Sequence, residues 1–175
     1  NNGDGTFTRV TSGAIATDNL EARGAGWADY DNDGHLDLYV WCSSGVSRGS
    51  RLYHNTGDGT FTRILTGSLP TETTPLVGGF AWGDYDNDGF LDLFMTRGLS
   101  GTNPASYQNS LFRNNGNSNA WIRIKCVGRA SNRDGIGAKV RVRAVIGGDD
   151  RWQLREITGG DGYGTSVPLE AHFGL

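Results

Sequence analysis

Two stretches of this chain are near copies of each other, and no other feature restricts its fold as much. Asn55-Thr-Gly-Asp-Gly-Thr-Phe-Thr-Arg-Ile64 repeats Asn1-Asn-Gly-Asp-Gly-Thr-Phe-Thr-Arg-Val10 at an offset of 54. Trp82-Gly-Asp-Tyr-Asp-Asn-Asp-Gly-Phe-Leu-Asp-Leu-Phe94 repeats Trp27-Ala-Asp-Tyr-Asp-Asn-Asp-Gly-His-Leu-Asp-Leu-Tyr39 at 55. A third echo, Leu111-Phe-Arg-Asn-Asn-Gly116, matches Leu52-Tyr-His-Asn-Thr-Gly57 and then breaks into Asn117-Ser-Asn-Ala-Trp121. Such a period marks an architecture built from copies of one supersecondary unit. Inside each copy the apolar residues follow a period of two, as Leu36, Leu38 and Val40 do against Asp37 and Tyr39, in short runs bordered by Gly or Asn. The chain has 28 Gly but only 4 Pro in 175 residues, too much Gly for long helices to persist. Its Asp-Gly and Asn-Gly pairs supply the positive φ of tight turns. The expectation is an all-β chain of antiparallel hairpins throughout.

The chemistry lies in two loops reading Asp-x-Asp-Asn-Asp-Gly-x-x-Asp. Asp29, Asp31, Asp33 and Asp37 in the first, and Asp84, Asp86, Asp88 and Asp92 in the second, account for eight of the fifteen Asp of the chain. Carboxylates crowded together repel one another unless a cation neutralises them. Calcium accepts irregular shells of oxygen ligands, and carboxylates at positions 1, 3 and 5, a Gly at 6 and a backbone carbonyl at 7 are how a short loop wraps it. His35 and Phe90 would offer that carbonyl. An EF-hand would need Glu at position 12, where Val40 and Met95 stand; the fourth carboxylate comes at position 9 instead. Two calcium ions would change the charge of residues 1–118, with 7 basic and 13 acidic groups, from −6 to −2.

These motifs resemble the FG-GAP or VCBS repeats of integrin α-chain propellers and of many secreted bacterial proteins. The resemblance implies propeller-blade-like antiparallel hairpins with calcium on the eight Asp, and blade-closing turns at Asn1–Gly5 and Asn55–Gly59 that need no metal. The remainder carries Asn119-Ala-Trp-Ile-Arg-Ile-Lys-Cys-Val-Gly128, Ser131-Asn-Arg-Asp-Gly-Ile-Gly-Ala-Lys-Val140, Arg155-Glu-Ile-Thr-Gly-Gly-Asp-Gly-Tyr163 and His172-Phe-Gly-Leu175. It is similar to the ASPIC/UnbV domain that follows such repeats in secreted proteins; Thr165-Ser166 departs from that family's usual Ser-Gln pair. The organisation expected is thus repeats at 1–118, divided at about 56, and a small β-sandwich-like domain at 119–175. The tail alternates too, with Arg123, Lys125, Lys139, Arg141 and Arg143 between apolar neighbours, so one strand face is basic. That face suits either solvent or a carboxylate-bearing partner, the acidic repeats among them.

Several function classes drop out. No Lys/Arg block suggests nucleic acid, no apolar run approaches the roughly 20 residues of a membrane helix, and no catalytic motif surrounds His35, His54 or His172. An enzyme is not expected. Cys42 and Cys126 leave two alternatives, one disulfide or two buried thiols. Thr71, Thr73 and Thr74 sit in a Ser/Thr/Pro-rich loop of the kind that accepts O-linked sugars, and the low-affinity calcium sites of extracellular modules favour secretion or the cell surface. Asn1-Asn-Gly-Asp-Gly lacks the Leu-Tyr strand that precedes Asn55, so the first sheet is expected to have an open edge. That edge would meet the rest of a larger chain or another copy, the latter giving a filament or matrix subunit. The competing expectation is an adhesion module whose loops bind glycan or protein.

Overall fold

The computed structural model describes residues 1–42, 49–69, 77–97, 108–160, 165–166 and 168–175; Thr71, Thr73 and Thr74 lie outside the described residues. Each repeat forms one sheet. In the first, β1 (Ala22–Ala28), β2 (Asp37–Cys42), β3 (Arg51–Asn55) and β4 (Phe61–Arg63) pair antiparallel in chain order. In the second, β5 (Val77–Gly83), β6 (Asp92–Arg97) and β7 (Ser110–Phe112) do the same. Ala28 opposite Asp37 and Gly83 opposite Asp92 make the two acidic loops leave and re-enter their sheets at equivalent points.

The tail adds β8 (Trp121–Lys125), β9 (Lys139–Ile146), β10 (Asp149–Glu156), β11 (Thr165–Ser166) and β12 (Glu170–Gly174). β9 and β10 form a hairpin, while β8 pairs with β12. Ile124, Cys126, Val140 and Val142 from these two ladders close over Ile157, Ala171 and Phe173. The fold is all-β, as the alternation predicts.

Three local expectations are corrected. Pairing is not antiparallel throughout, because β11 runs parallel to β5, with Thr165 opposite Phe80; hairpin signals govern neighbours in sequence and are blind to such a distant return. A one-turn helix, α1 (Ala14–Thr17), precedes β1. The first sheet is not short of a strand, and β11 brings the second to four as well. Four strands from residues 22–63 complete the first, Asn1–Val10 forms no strand, and β7 has no counterpart of β4, since the motif breaks after Gly116. As to the cysteines, the structure has no bridge between them, but only Cys42 is buried and Cys126 is half-buried. Cys42 and Cys126 are free thiols in different cores, Cys42 with Leu38, Val40 and Tyr53 and Cys126 in the tail.

The two sheets stack face to face. Ala28, Tyr39, Trp41 and Leu52 of the first meet Phe80, Trp82, Leu91, Leu93 and Met95 of the second. Tyr39 stands edge-on to Phe80 at 5.0 Å and to Trp82 at 6.1 Å, the orientation that ring quadrupoles favour. β2 is buried on both faces because Ile15 of α1, Leu20 and Phe61 cover Leu38, Val40 and Cys42. Among the described residues the second sheet has no such cover on its far side. Phe94 and Leu111, the repeat equivalents of buried Tyr39 and Leu52, are 40% and 52% exposed. Among the described residues no helix is long and apolar enough to cross a membrane.

Leu93→Ala, emptying a position 1% exposed between the sheets, should cost about 2–5 kcal/mol in urea unfolding. Leu65→Ala, at a position 67% exposed, should change stability by no more than about 0.5 kcal/mol.

Candidate metal centres

The two acidic loops share one hydrogen-bond plan. The first carboxylate accepts the N–H of the loop glycine, Gly34 on Asp29 at 3.2 Å and Gly89 on Asp84 at 3.1 Å. The third caps the next residue, His35 N–H on Asp33 at 2.8 Å and Phe90 N–H on Asp88 at 3.0 Å. The fourth is held on both oxygens: Asp37 by the N–H groups of Tyr30 and Asn55, Asp92 by those of Tyr85 and Asn114. Asn32 and Asn87 take φ of 57° and 60°, a left-handed conformation that Asn tolerates better than most residues. Gly34 and Gly89 follow at 85° and 90°.

Ligand-type atoms converge in each loop. Asp29, Asp31 and Asp33 bring carboxylate oxygens within 4.8 Å of one another, as do Asp84, Asp86 and Asp92. Asp88 stands outside its cluster, bound to Phe90 N–H and Arg113. His35 and Phe90 give their backbone N–H groups to Asp33 and Asp88, and the His35 ring turns outward onto Arg151.

Two kinds of residue escape sequence reasoning. His54 forms a further cluster with Asp31 and Asp37, its Nδ1 3.1 Å from Asp31 and 3.3 Å from Asp37. Asn55 and Asn114 lock the fourth carboxylates and also bond the carbonyls of Leu36 and Leu91. The signal for both was the Leu-aromatic-x-Asn-x-Gly echo, whose strands lie beside the loops.

The tail closes the site from the other side. Gly174 N–H donates to Asp29 at 2.9 Å, and Arg155 lies 3.7 Å from the same oxygen. Arg123 reaches Asp84 at 3.2 Å and Glu170 at 2.9 Å. His172 Nε2 and Asn32 Nδ2 both contact the Gly89 carbonyl. A Cβ on Gly174 would collide with the Asn32 backbone, so this approach requires glycine. Basic tail and acidic repeats therefore meet within one chain, while the exposed face of β9 stays in solvent.

Burial decides the electrostatics. It pushes the Asp29 carboxyl up to about 6 and Asp37 up to about 8, and it raises Asp31 and Asp92 as well. Asp29 Oδ1 and Asp31 Oδ1 are buried without a hydrogen-bond partner among the described residues. The closing turns behave differently. There Asp4 and Asp58 are exposed and accept from the Thr6 and Thr60 N–H and hydroxyl groups, which holds both below the usual carboxylate range. Unpaired, desolvated carboxylate oxygens beside other carboxylates fit a hard divalent cation.

Duplicated acidic hairpins on stacked sheets, gripped by a β tail, define a repeat protein of a known kind. The chain belongs to the FG-GAP-like repeat family, whose model matches residues 1–40 and 41–95, and the ASPIC and UnbV model matches residues 128–175. It is similar to cartilage acidic protein 1 of Mus musculus, 35% identical over 157 residues, and of Homo sapiens, 34% identical over 157. The protein of that name from Xenopus tropicalis is 30% identical over 154 residues. Each match covers 85% of this chain but 22% of the relative, so the chain spans about a fifth of their length.

The sign of the pH dependence follows from the raised carboxyls. Their unfolded value is about 4, so the stability they contribute is fully present below that pH and is lost as pH rises through 6 and then 8. Protein stripped of divalent ions should therefore melt lower at pH 8 than at pH 5 in differential scanning calorimetry. The opposite slope would contradict buried, unpaired carboxylates.

Proposed function

We propose that this chain is an extracellular, calcium-stabilised structural module that associates with further copies of itself or with the rest of a larger chain. One observation carries the calcium reading: the buried, partnerless oxygens of Asp29 and Asp31 in a cluster of like charge. In the first loop Asp29, Asp31, Asp33 and Asp37 would hold one ion; in the second Asp84, Asp86, Asp88 and Asp92 would hold another. The His35 and Phe90 carbonyls would add oxygens. The ion supplies positive charge and fixes the distances between carboxylates, while the chain's own Asn55, Asn114, Gly174 and arginines orient them. Millimolar extracellular calcium suits sites of this type, and the relatives' name, cartilage acidic protein, points to the same setting. The two matched families are not enzymatic in kind.

Association is supported by the face of the second sheet that is exposed among the described residues. Phe94 and Leu111 stand in solvent where Tyr39 and Leu52 of the first sheet bury themselves against a neighbouring sheet. A sheet from another copy or another part of a larger chain would cover the same kind of surface. The binding-module reading rests on a different feature, a cleft of about 460 Å³ between repeats and tail. Trp27, Tyr85, Arg123 and Glu170 line it, aromatic faces beside charged hydrogen-bonding groups that suit a glycan or a protein loop.

Millimolar calcium should raise the melting temperature of chelator-treated protein, by roughly 2.7 kcal/mol of stability per site at a hundredfold excess over Kd. Asp31→Ala and Asp86→Ala should each forfeit one such increment. No calcium-dependent shift in wild type would overturn the reading. Light scattering should show assemblies that Phe94→Glu disperses; a monomer at every concentration would remove self-association and leave the binding module.

A further inference from the structure

The two loops share the bonds described above and differ at two points. Asp84 Oδ1 also accepts the Asp88 N–H at 3.1 Å, while Asp29 Oδ1 has no partner among the described residues. The residue after the aromatic in the Leu-aromatic-x-Asn-x-Gly strand is not the same either; it is His54 beside the first loop and Arg113 beside the second. Arg113 Nε lies 2.6 Å from Asp86 and its Nη2 3.3 Å from Asp88. Both carboxylates are thus occupied by a guanidinium that keeps its charge at any working pH. Each loop already faces one tail arginine, Arg155 at Asp29 and Arg123 at Asp84. Among the described residues, the second loop's carboxylates therefore meet two guanidinium groups and the first loop's carboxylates meet one.

Enclosure differs in the same direction. Asn32 is fully buried under Gly174, whereas its counterpart Asn87 is exposed. Partnerless buried oxygens occur on Asp29 and Asp31; none of the second loop's carboxylate oxygens is in that condition among the described residues. A cation entering the first loop finds Asp29 Oδ1 and Asp31 Oδ1 buried and without a hydrogen-bond partner among the described residues. One entering the second must first displace Arg113, whose side chain is 56% exposed and can swing into solvent.

We propose that the residue at 54 and 113 grades the two calcium sites. His54 leaves the first a high-affinity structural site, and Arg113 makes the second a weaker, exchangeable one by acting as a built-in competing cation. This inference rests on the calcium reading above and adds an order of affinity to it. A module built this way keeps one ion permanently and loads the other as external calcium rises, with Arg113 released from the loop at that moment.

Isothermal titration with calcium tests it. Asp86→Ala, which leaves the first site, should retain the tighter binding; Asp31→Ala, which leaves the second, should retain the weaker. In the Asp31→Ala background Arg113→His should tighten the second site by about threefold to tenfold, the range expected for removing an exposed ion pair that must break on loading. His54→Arg in the Asp86→Ala background should weaken the first by a similar factor. Melting curves identify any variant that has failed to fold, and Arg113→Gln is the alternative that removes the charge with less change in length. Equal affinities in the two single-site proteins, or no tightening from either Arg113 substitution, would overturn the grading while leaving calcium binding intact. Wild-type protein that takes up no calcium would overturn both.

Discussion

Like-charged carboxylates crowded together, the innermost of them shut away from water, are the constraint around which this molecule is arranged. In each repeat a β hairpin projects four aspartates from the end of a sheet, and the fourth is buried almost completely, Asp37 at 1% and Asp92 at 2% exposure. A desolvated carboxylate is costly unless hydrogen bonds or counter-charges replace its water. The chain replaces that water in three ways. Backbone N–H groups of the loop bind the first, third and fourth carboxylates, a strand neighbour brings Asn55 or Asn114, and the tail brings Gly174, Arg123 and Arg155. One oxygen each on Asp29 and Asp31 is left without a partner among the described residues.

The tail is consequently more than a second domain beside the repeats. Strand β12 runs its last residues between the two loops, with His172 on the Gly89 carbonyl and Gly174 on Asp29, while β11 extends the second sheet beside β5. Phe173, fully buried between these contacts, ties them to the tail core, and Arg155 stacks over its ring at 5.1 Å. Loop geometry and tail docking are linked, since each orders groups that the other needs.

Much of this was legible in the residues themselves. The eight aspartates, the glycine at position 6 and the strand alternation are local patterns, and local patterns survive in one dimension. The partners of the loops were harder to see. His54, Asn55, Arg113 and Asn114 lie far along the chain from the carboxylates they touch, and their repeat echo read simply as a strand with a turn. The parallel pairing of β11 and the reach of Gly174 into the first loop link residues more than eighty apart. Cys42 and Cys126 show the same limit, since only their assignment to separate cores distinguishes two thiols from one disulfide.

The sequence by itself determined the repeat, the β architecture and the acidic hairpins, because periodicity, turn residues and charge density act over a few neighbouring positions. Tertiary structure alone decided which carboxylates lose their water and which cations stand against them. Burial and Coulomb energy depend on what packs from elsewhere in the chain, and here two nearly identical loops receive different neighbours.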